Sequence, residues 1–254
     1  MRYFSRTKTA LGIAAMCGAL SMAAGTAHAS LIQNGSFETG PTGGQSATGL
    51  YGLTYSELLD GSVGSDGNKG WDVYAGIDHW SSNQGTGIEV QTEGAIGFTP
   101  KDGDYYIELD SEDVTGSDAN SNAYQTAISL AANTLYNLTY WFTWREDSSA
   151  ADNQITVTLS DGGGAVETWD PNTQYDETGT IPDWQFISHA FSVDAAGDYT
   201  LAFAATPVGS GNEFGGFIDD VALNAVPLPA AAWFMLTALG GLIGTRWLKK
   251  GQAA

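Results

Sequence analysis

The chain has 254 residues, 43% hydrophobic and 15% charged, with 29 acidic against nine basic side chains and a formal net charge of −20. This balance argues against partners such as nucleic acid or anionic lipid headgroups and suits divalent cations. Aromatic and β-branched runs, such as YYIEL at 105–109 and LYNLTYWFTW at 135–144, argue against disorder, because such a chain can bury enough apolar surface to fold.

The first thirty residues have the three parts of a secretory signal: the basic residues Arg2, Arg6 and Lys8, an apolar centre from Ala10 to Ala24, and small residues around Ala27-His28-Ala29. The spacing predicts a signal peptide over 1–29. The single cysteine, Cys17, lies inside it, so the exported part has no disulfide available and must rely on its core or on bound ions.

From 30 to 225 the chain reads as one domain, long enough for a substantial core. Every Asp and Glu falls between the two ends, where the only basic residues are Lys69, Lys101 and Arg145. Short alternating or apolar runs closed by Gly, Asn, Asp or Ser predict strands near 31–37, 71–75, 87–92, 104–110, 123–130, 135–144, 154–160, 165–169, 185–193, 198–206 and 216–224. The Gly-, Ser- and Thr-rich stretch 39–70 predicts a long surface excursion with a short helical turn at YSELL. Further loops are expected at 111–122, 145–153 and 170–183. Many short strands with no repeat and no helical period predict an all-β antiparallel two-sheet sandwich, with the jelly roll the favoured form.

The segment 226–254, which begins VPLPAAAWFMLTALGGLIGTRWLKK, carries an eighteen-residue uncharged run, Leu228 to Thr245, followed at once by Arg246, Lys249 and Lys250. That pattern predicts one transmembrane helix whose basic end stays in the cytoplasm. Pro227 and Pro229 keep the preceding segment extended and remove two backbone donors, leaving a strand that a protease site can accept.

The motif Val226-Pro227-Leu228-Pro229-Ala230, the apolar run and the basic tail together resemble the PEP-CTERM sorting signal in its VPLPA variant. Leu228 stands where the commoner motif has Glu. The resemblance implies an exosortase partner, transient anchoring in the inner membrane, and delivery to the envelope or extracellular matrix in association with exopolysaccharide and biofilm. Within the domain, LIQNGSFE at 31–38 and GGFIDDVALN at 215–224, with DGDYYIELD at 102–110 and YQTAISLAANTLYNLTYWF at 124–142, resemble strands of galactose-binding-like jelly rolls. That group includes many carbohydrate-binding modules.

The second resemblance implies a structural Ca2+ joining the first and last strands. Its ligands would be Glu38 and a carboxylate of Asp219 or Asp220, completed by backbone oxygens near Asp102 and Gly103. It also implies sugar binding through aromatic faces. Trp80, Tyr175 and Trp184 lie in polar loop surroundings and are the candidates, whereas Trp71, Trp141 and Trp144 stand in strand-like runs and read as core.

No nucleophile elbow, zinc-binding helix motif or phosphate loop is present, and His79 and His189 are far apart. His189 alternates with apolar neighbours and is expected on the polar face of a strand. With 29 carboxylates, some pair will stand at glycosidase spacing by number alone. The leading expectation is therefore a non-catalytic envelope or matrix protein whose domain binds polysaccharide or packs among other matrix components. The alternatives are a calcium-dependent adhesive or structural protein without a sugar site, and a glycan hydrolase or lyase.

Overall fold

A computed structural model describes residues 29–112, 118–145, 153–171, 184–206 and 215–227. Contacts divide the chain into His28–Val226 and a second unit of Met1–Ala27 with Pro227–Ala254, and of the second unit only Pro227 is described. The expected signal peptide, Leu228 to Ala230 and the basic stop thus lie outside the described residues. Among the described residues no helix is long and apolar enough to cross a membrane.

The domain is all-β, and its two main sheets have six antiparallel strands each. The first orders β1 (Trp71–Tyr74), β4 (Ile88–Gln91), β5 (Tyr106–Glu108), β14 (Phe217–Ala225), β9 (Leu135–Thr143) and β12 (Gln185–Ser192). The second orders β11 (Ala165–Trp169), β10 (Ile155–Ser160), β13 (Gly197–Ala205), β8 (Asn122–Leu130), β3 (Trp80–Ser81) and β2 (Gly76–Ile77). A two-stranded ribbon, β6 (Asp110–Glu112) with β7 (Asp118–Asn120), stands apart. Of the long strands, β8, β10 and β13 fall in one sheet and β9, β12 and β14 in the other, so the chain repeatedly crosses between layers as a jelly-roll sandwich does.

The alternation in sequence becomes alternation in space. Leu138, Tyr140 and Phe142 of β9 face Val157, Leu201 and Phe203 across the core, and all six are essentially inaccessible. Phe203 meets Tyr140 edge-on at 5.0 Å and Trp80 at 6.2 Å, so aromatic packing fixes the spacing of the layers.

Besides the expected loop 111–122, in which β6 and β7 pair as a ribbon and β8 begins, two features depart from the sequence expectation. Residues 31–37 form no strand: Asn34 and Phe37 adopt left-handed backbone (φ 50° and 59°), which breaks a continuous ladder. This strap is held instead by scattered bonds. The Gln125 carboxamide accepts from the Gln33 N–H at 3.0 Å and donates to the Gln33 carbonyl at 2.9 Å, while Leu31 N–H bonds the Leu223 carbonyl. Gly35 passes so near β14 that a Cβ there would lie 1.9 Å from the Val221 carbonyl oxygen.

The second departure is His189, which lies on the inward row of β12 with Ile187 and Phe191, not on its polar face. Its ring stacks on Trp169 at 5.0 Å and its Nε2 lies 3.2 Å from the Tyr140 hydroxyl. Because β11 and β12 are edge strands of opposite sheets, this stack helps close one side of the sandwich. The short helix α1 (Tyr55–Asp60) forms at YSELL, as the sequence predicts, and is started by a Thr54/Glu57 capping box.

Candidate functional site

The outer face of the first sheet divides into a buried acidic end and an open neutral end. At the acidic end, Glu89 of β4 pairs in register with Glu108 of β5, both pointing away from the core. The Gln91 amide donates to Glu89 at 2.7 Å and to Glu108, and Tyr106 donates its hydroxyl to Gln91 Oε1 at 3.1 Å. Gly215 N–H bonds Glu108 Oε1 at 2.9 Å, and an Arg145 guanidinium nitrogen stands 3.9 Å from the same oxygen.

Burial raises the Glu89 pKa well above the ordinary carboxylate range, and the neighbouring Glu108 charge adds to the rise. Glu108 is also pushed up by burial, while Arg145 opposes the shift. Both carboxyls accept from the same Gln91 amide nitrogen, which holds them close together. An aromatic group of Tyr106, Phe217 and Trp184, flanked by Ile96 and Phe98, packs beside them.

Toward β9 and β12 the same face changes character. The outward residues of β9 are Leu135, Asn137, Thr139, Trp141 and Thr143, and those of β12 are Phe186, Ser188, Ala190 and Ser192. Beside them stand Ala222 and Asn224 of β14. None of these side chains is charged. Trp141 and Phe186 are cross-strand partners in edge contact at 5.3 Å, and Phe186 is 55% exposed. At the rim, the Lys101 ammonium lies 4.7 Å from the centre of the Trp141 ring.

The aromatics expected to bind sugar are placed differently. Trp80 is 1% exposed, packed against Phe37 and Phe203, with its indole N–H donated to the Asn34 carbonyl. Trp184 is 7% exposed, meets Tyr106 edge-on and donates to the Thr99 carbonyl. Both indoles have their polar atom satisfied inside, so neither offers a free ring face. Tyr175 lies outside the described residues. Trp71, Trp141 and Trp144, which the strand pattern assigned to the core, are all only partly buried, and Trp141 lies on the outward row of β9. The missed signal was its parity: Leu138, Tyr140 and Phe142 face inward, which puts Trp141 outward.

The residues expected to hold calcium do come together, around the loop 101–105. Glu38 Oε1 accepts from the N–H groups of Asp104 (2.9 Å) and Tyr105 (3.0 Å). Asp219 Oδ2 accepts from those of Lys101 (2.6 Å) and Asp102 (3.1 Å), and Asp102 accepts from the Ser36 hydroxyl at 2.6 Å. A Cβ on Gly103 (φ 72°) would fall 2.1 Å from the Glu38 carboxyl carbon, so only glycine lets the loop lie this close.

Burial lifts the Asp219 pKa to about 7, and Asp220 is raised by burial and by the Asp102 charge. Hard oxygen donors and unrelieved negative charge fit a divalent cation in chemistry. Among the described residues no three acidic or imidazole side chains converge as a ligand group, so a cation would also need oxygens of the loop backbone.

No protein-family model matches the chain, and no curated protein matches it. Solved structures of similar shape include the enzymatically active domain of tailspike protein 4 from bacteriophage CBA120, 18% identical over 58% of this chain, with a TM-score of 0.38. The chain spans only 19% of that structure's length. An apo cyclase from Fischerella sp. is 15% identical over 64% of this chain and 89% of its own, with a TM-score of 0.45. A family 16 carbohydrate-binding module is 18% identical over 54% of this chain and 84% of its own, with a TM-score of 0.34. Similarities this distant decide neither activity nor ligand.

Proposed function

We propose that this domain is a non-catalytic module that binds a neutral polysaccharide along the outer face of β14, β9 and β12. One observation carries the reading. In a chain of net charge −20, the outward side chains of β9 and β12 are all uncharged, and they present an exposed aromatic, Phe186, beside Trp141. Sugar rings stack on aromatic faces through their C–H groups, while Asn137, Thr139 and Ser188 offer amide and hydroxyl partners to hydroxyls.

The terminal segments support export, and the proline motif supports processing by an exosortase and association with exopolysaccharide. Affinity-gel retardation on neutral and acidic polysaccharides tests the reading. Retardation by a neutral polymer that Phe186→Ala abolishes is the expected result; equal mobility of the two proteins in every gel would overturn it.

A second reading, a calcium-stabilised adhesive protein, is favoured by the meeting of Glu38, Asp102, Gly103, Asp219 and Asp220 at one loop. Calcium-driven self-association without glycan dependence would favour it over the first.

A further inference from the structure

Each main sheet ends in two edge strands, whose outer backbone groups must be covered or protected against pairing with another chain. Three of these four edges are protected. β1 is overlaid by the turn 49–53: Leu50 N–H bonds the Val73 carbonyl at 2.8 Å, and the Asp72 carboxylate accepts from the N–H groups of Tyr51 and Leu53. β2 has only two residues. β11 has five, carries Glu167, and its pairing with β10 shifts register at Leu159 and Ser160.

The edge β12 has none of these devices. Its sequence, QFISHAFS, contains no proline, lysine or carboxylate, and it pairs with β9 without a break from Gln185 opposite Phe142 to Ser192 opposite Leu135. Alternate residues of an antiparallel strand direct both N–H and C=O to one side, so half of the β12 backbone points away from β9. Among the described residues none of those groups meets a partner. The outward side chains along this edge, Phe186, Ser188, Ala190 and Ser192, are exposed and uncharged.

Charge decides what can pair there. The domain carries 29 acidic side chains against three basic ones, so two copies repel over most of their surface and can meet only where both are neutral. Antiparallel pairing of a strand with its own copy needs a two-fold axis through a residue that faces itself. Two registers keep nearly all of β12 opposed, one centred on Ser188 and one on His189. In the first, Ser188 faces itself and Phe186 faces Ala190 of the second copy. In the second, Ser188 faces Ala190 and Phe186 faces Ser192. Every outward pair is uncharged in both.

We infer that β12 is a self-association edge, through which two copies of this chain pair antiparallel and join their first sheets into one continuous sheet. The pairing consumes the edge that makes it, so it closes at two copies and builds no fibre. The two-fold axis brings the outward rows of β9 and β12 from both copies to the same side, which doubles the neutral surface; the inference does not need that surface to bind anything. Glu167 and Asp170, on and just after the neighbouring edge β11, approach their counterparts in the second copy, so association strengthens as salt screens them.

Sedimentation velocity on the domain 30–225, which falls within the compact unit His28–Val226, tests this in EDTA and without polysaccharide, so that neither calcium nor glycan contributes. The expected result is a reversible monomer–dimer equilibrium with a Kd of about 0.1 mM or below, tightening roughly tenfold from ~50 to ~500 mM NaCl. Ser188→Lys with Ala190→Lys sets lysine opposite lysine in either register and should weaken the dimer at least about tenfold. Both positions are exposed, so Tm should be retained. Leu59→Lys with Val63→Lys makes the same charge change at exposed positions in and after α1 and should leave the dimer intact. A monomer at every salt concentration and at about 1 mM protein overturns the inference. A dimer that the β12 variant leaves unchanged also overturns it, as does association that continues past two copies.

Discussion

The two ends of one sheet face show how an acidic protein can keep a neutral surface. Around β4 and β5 the carboxyls of Glu89 and Glu108 are buried with Gln91, Tyr106 and Arg145. Around β9 and β12 the outward side chains are hydroxyls, amides, aromatics, one alanine and Leu135. The difference lies in what covers each end: aromatic packing seals the first, while Phe186 and Ser188 leave the second open. The charge at the first end is drawn into the buried layer, and the outward rows of β9 and β12 carry none.

Both ends depend on the core beneath them, so the largest effect comes from breaking that. Phe203→Ala removes a fully buried ring that touches Tyr140 and Trp80, and should cost about 3–5 kcal/mol by denaturant unfolding. A cost below ~1 kcal/mol would mean the layers do not pack through this residue.

Next comes the loop 101–105, where Glu38, Asp102 and Asp219 gather and are compensated by backbone N–H groups and the Ser36 hydroxyl. Saturating calcium at about a hundred times its Kd should stabilise the domain by roughly 2.7 kcal/mol, with a matching rise in Tm that EDTA reverses and Asp219→Asn removes. If EDTA and calcium leave Tm unmoved, the carboxylates are held by backbone N–H groups alone.

The sealed acidic end predicts a pH dependence of definite sign. Glu89 and Glu108 have folded pKa values above their unfolded ones, so the native state holds protons that the unfolded state has released. Their contribution is therefore present at low pH and declines as pH rises from the ordinary carboxylate range, near 4, through the raised folded values. The groups facing them are Arg145, which opposes the shift, and Asp110, which adds to it. His189 works in the other direction, because burial lowers its pKa and its contribution is lost as pH falls from about 6.5 through its lowered folded value. Glu108→Gln keeps the shape and removes one charge, so it should raise stability at pH 8 by about 1–2 kcal/mol and flatten the profile. Lower stability at every pH would show that the Arg145 pairing outweighs the burial of the carboxyl.

Most of the architecture was legible in the sequence because strand periodicity is local: ITVTLS and LYNLTYWFT alternate, and the structure alternates with them. The carboxylates around the loop 101–105 were also legible as a set, although they are separated by more than a hundred residues, because the motifs at both ends of the domain carried them. The strap 31–37 was not, since its partner is the Gln125 side chain and no neighbouring strand. The aromatics were not legible either. Loop position suggested that Trp80 and Trp184 were accessible, but whether a ring is covered depends on what folds over it, and both indole N–H groups found internal carbonyls. The pairing of Glu89 with Glu108 depends on the register between β4 and β5, which no single strand encodes.

The smallest expected change in stability is also the one that best separates the two ends. Phe186 lies half in solvent with only an edge contact to Trp141, so Phe186→Ala should shift unfolding by less than about 1 kcal/mol. A residue this cheap to lose from the fold has its main consequence elsewhere. If the neutral face exists for a ligand, the variant keeps its Tm and its pH profile yet loses polysaccharide retardation. If it exists for cohesion like the acidic end, Tm falls and retardation follows it in proportion. Measuring both on one preparation distinguishes the cases, because a stability loss of this size leaves nearly all of the protein folded at 25 °C and cannot by itself abolish binding.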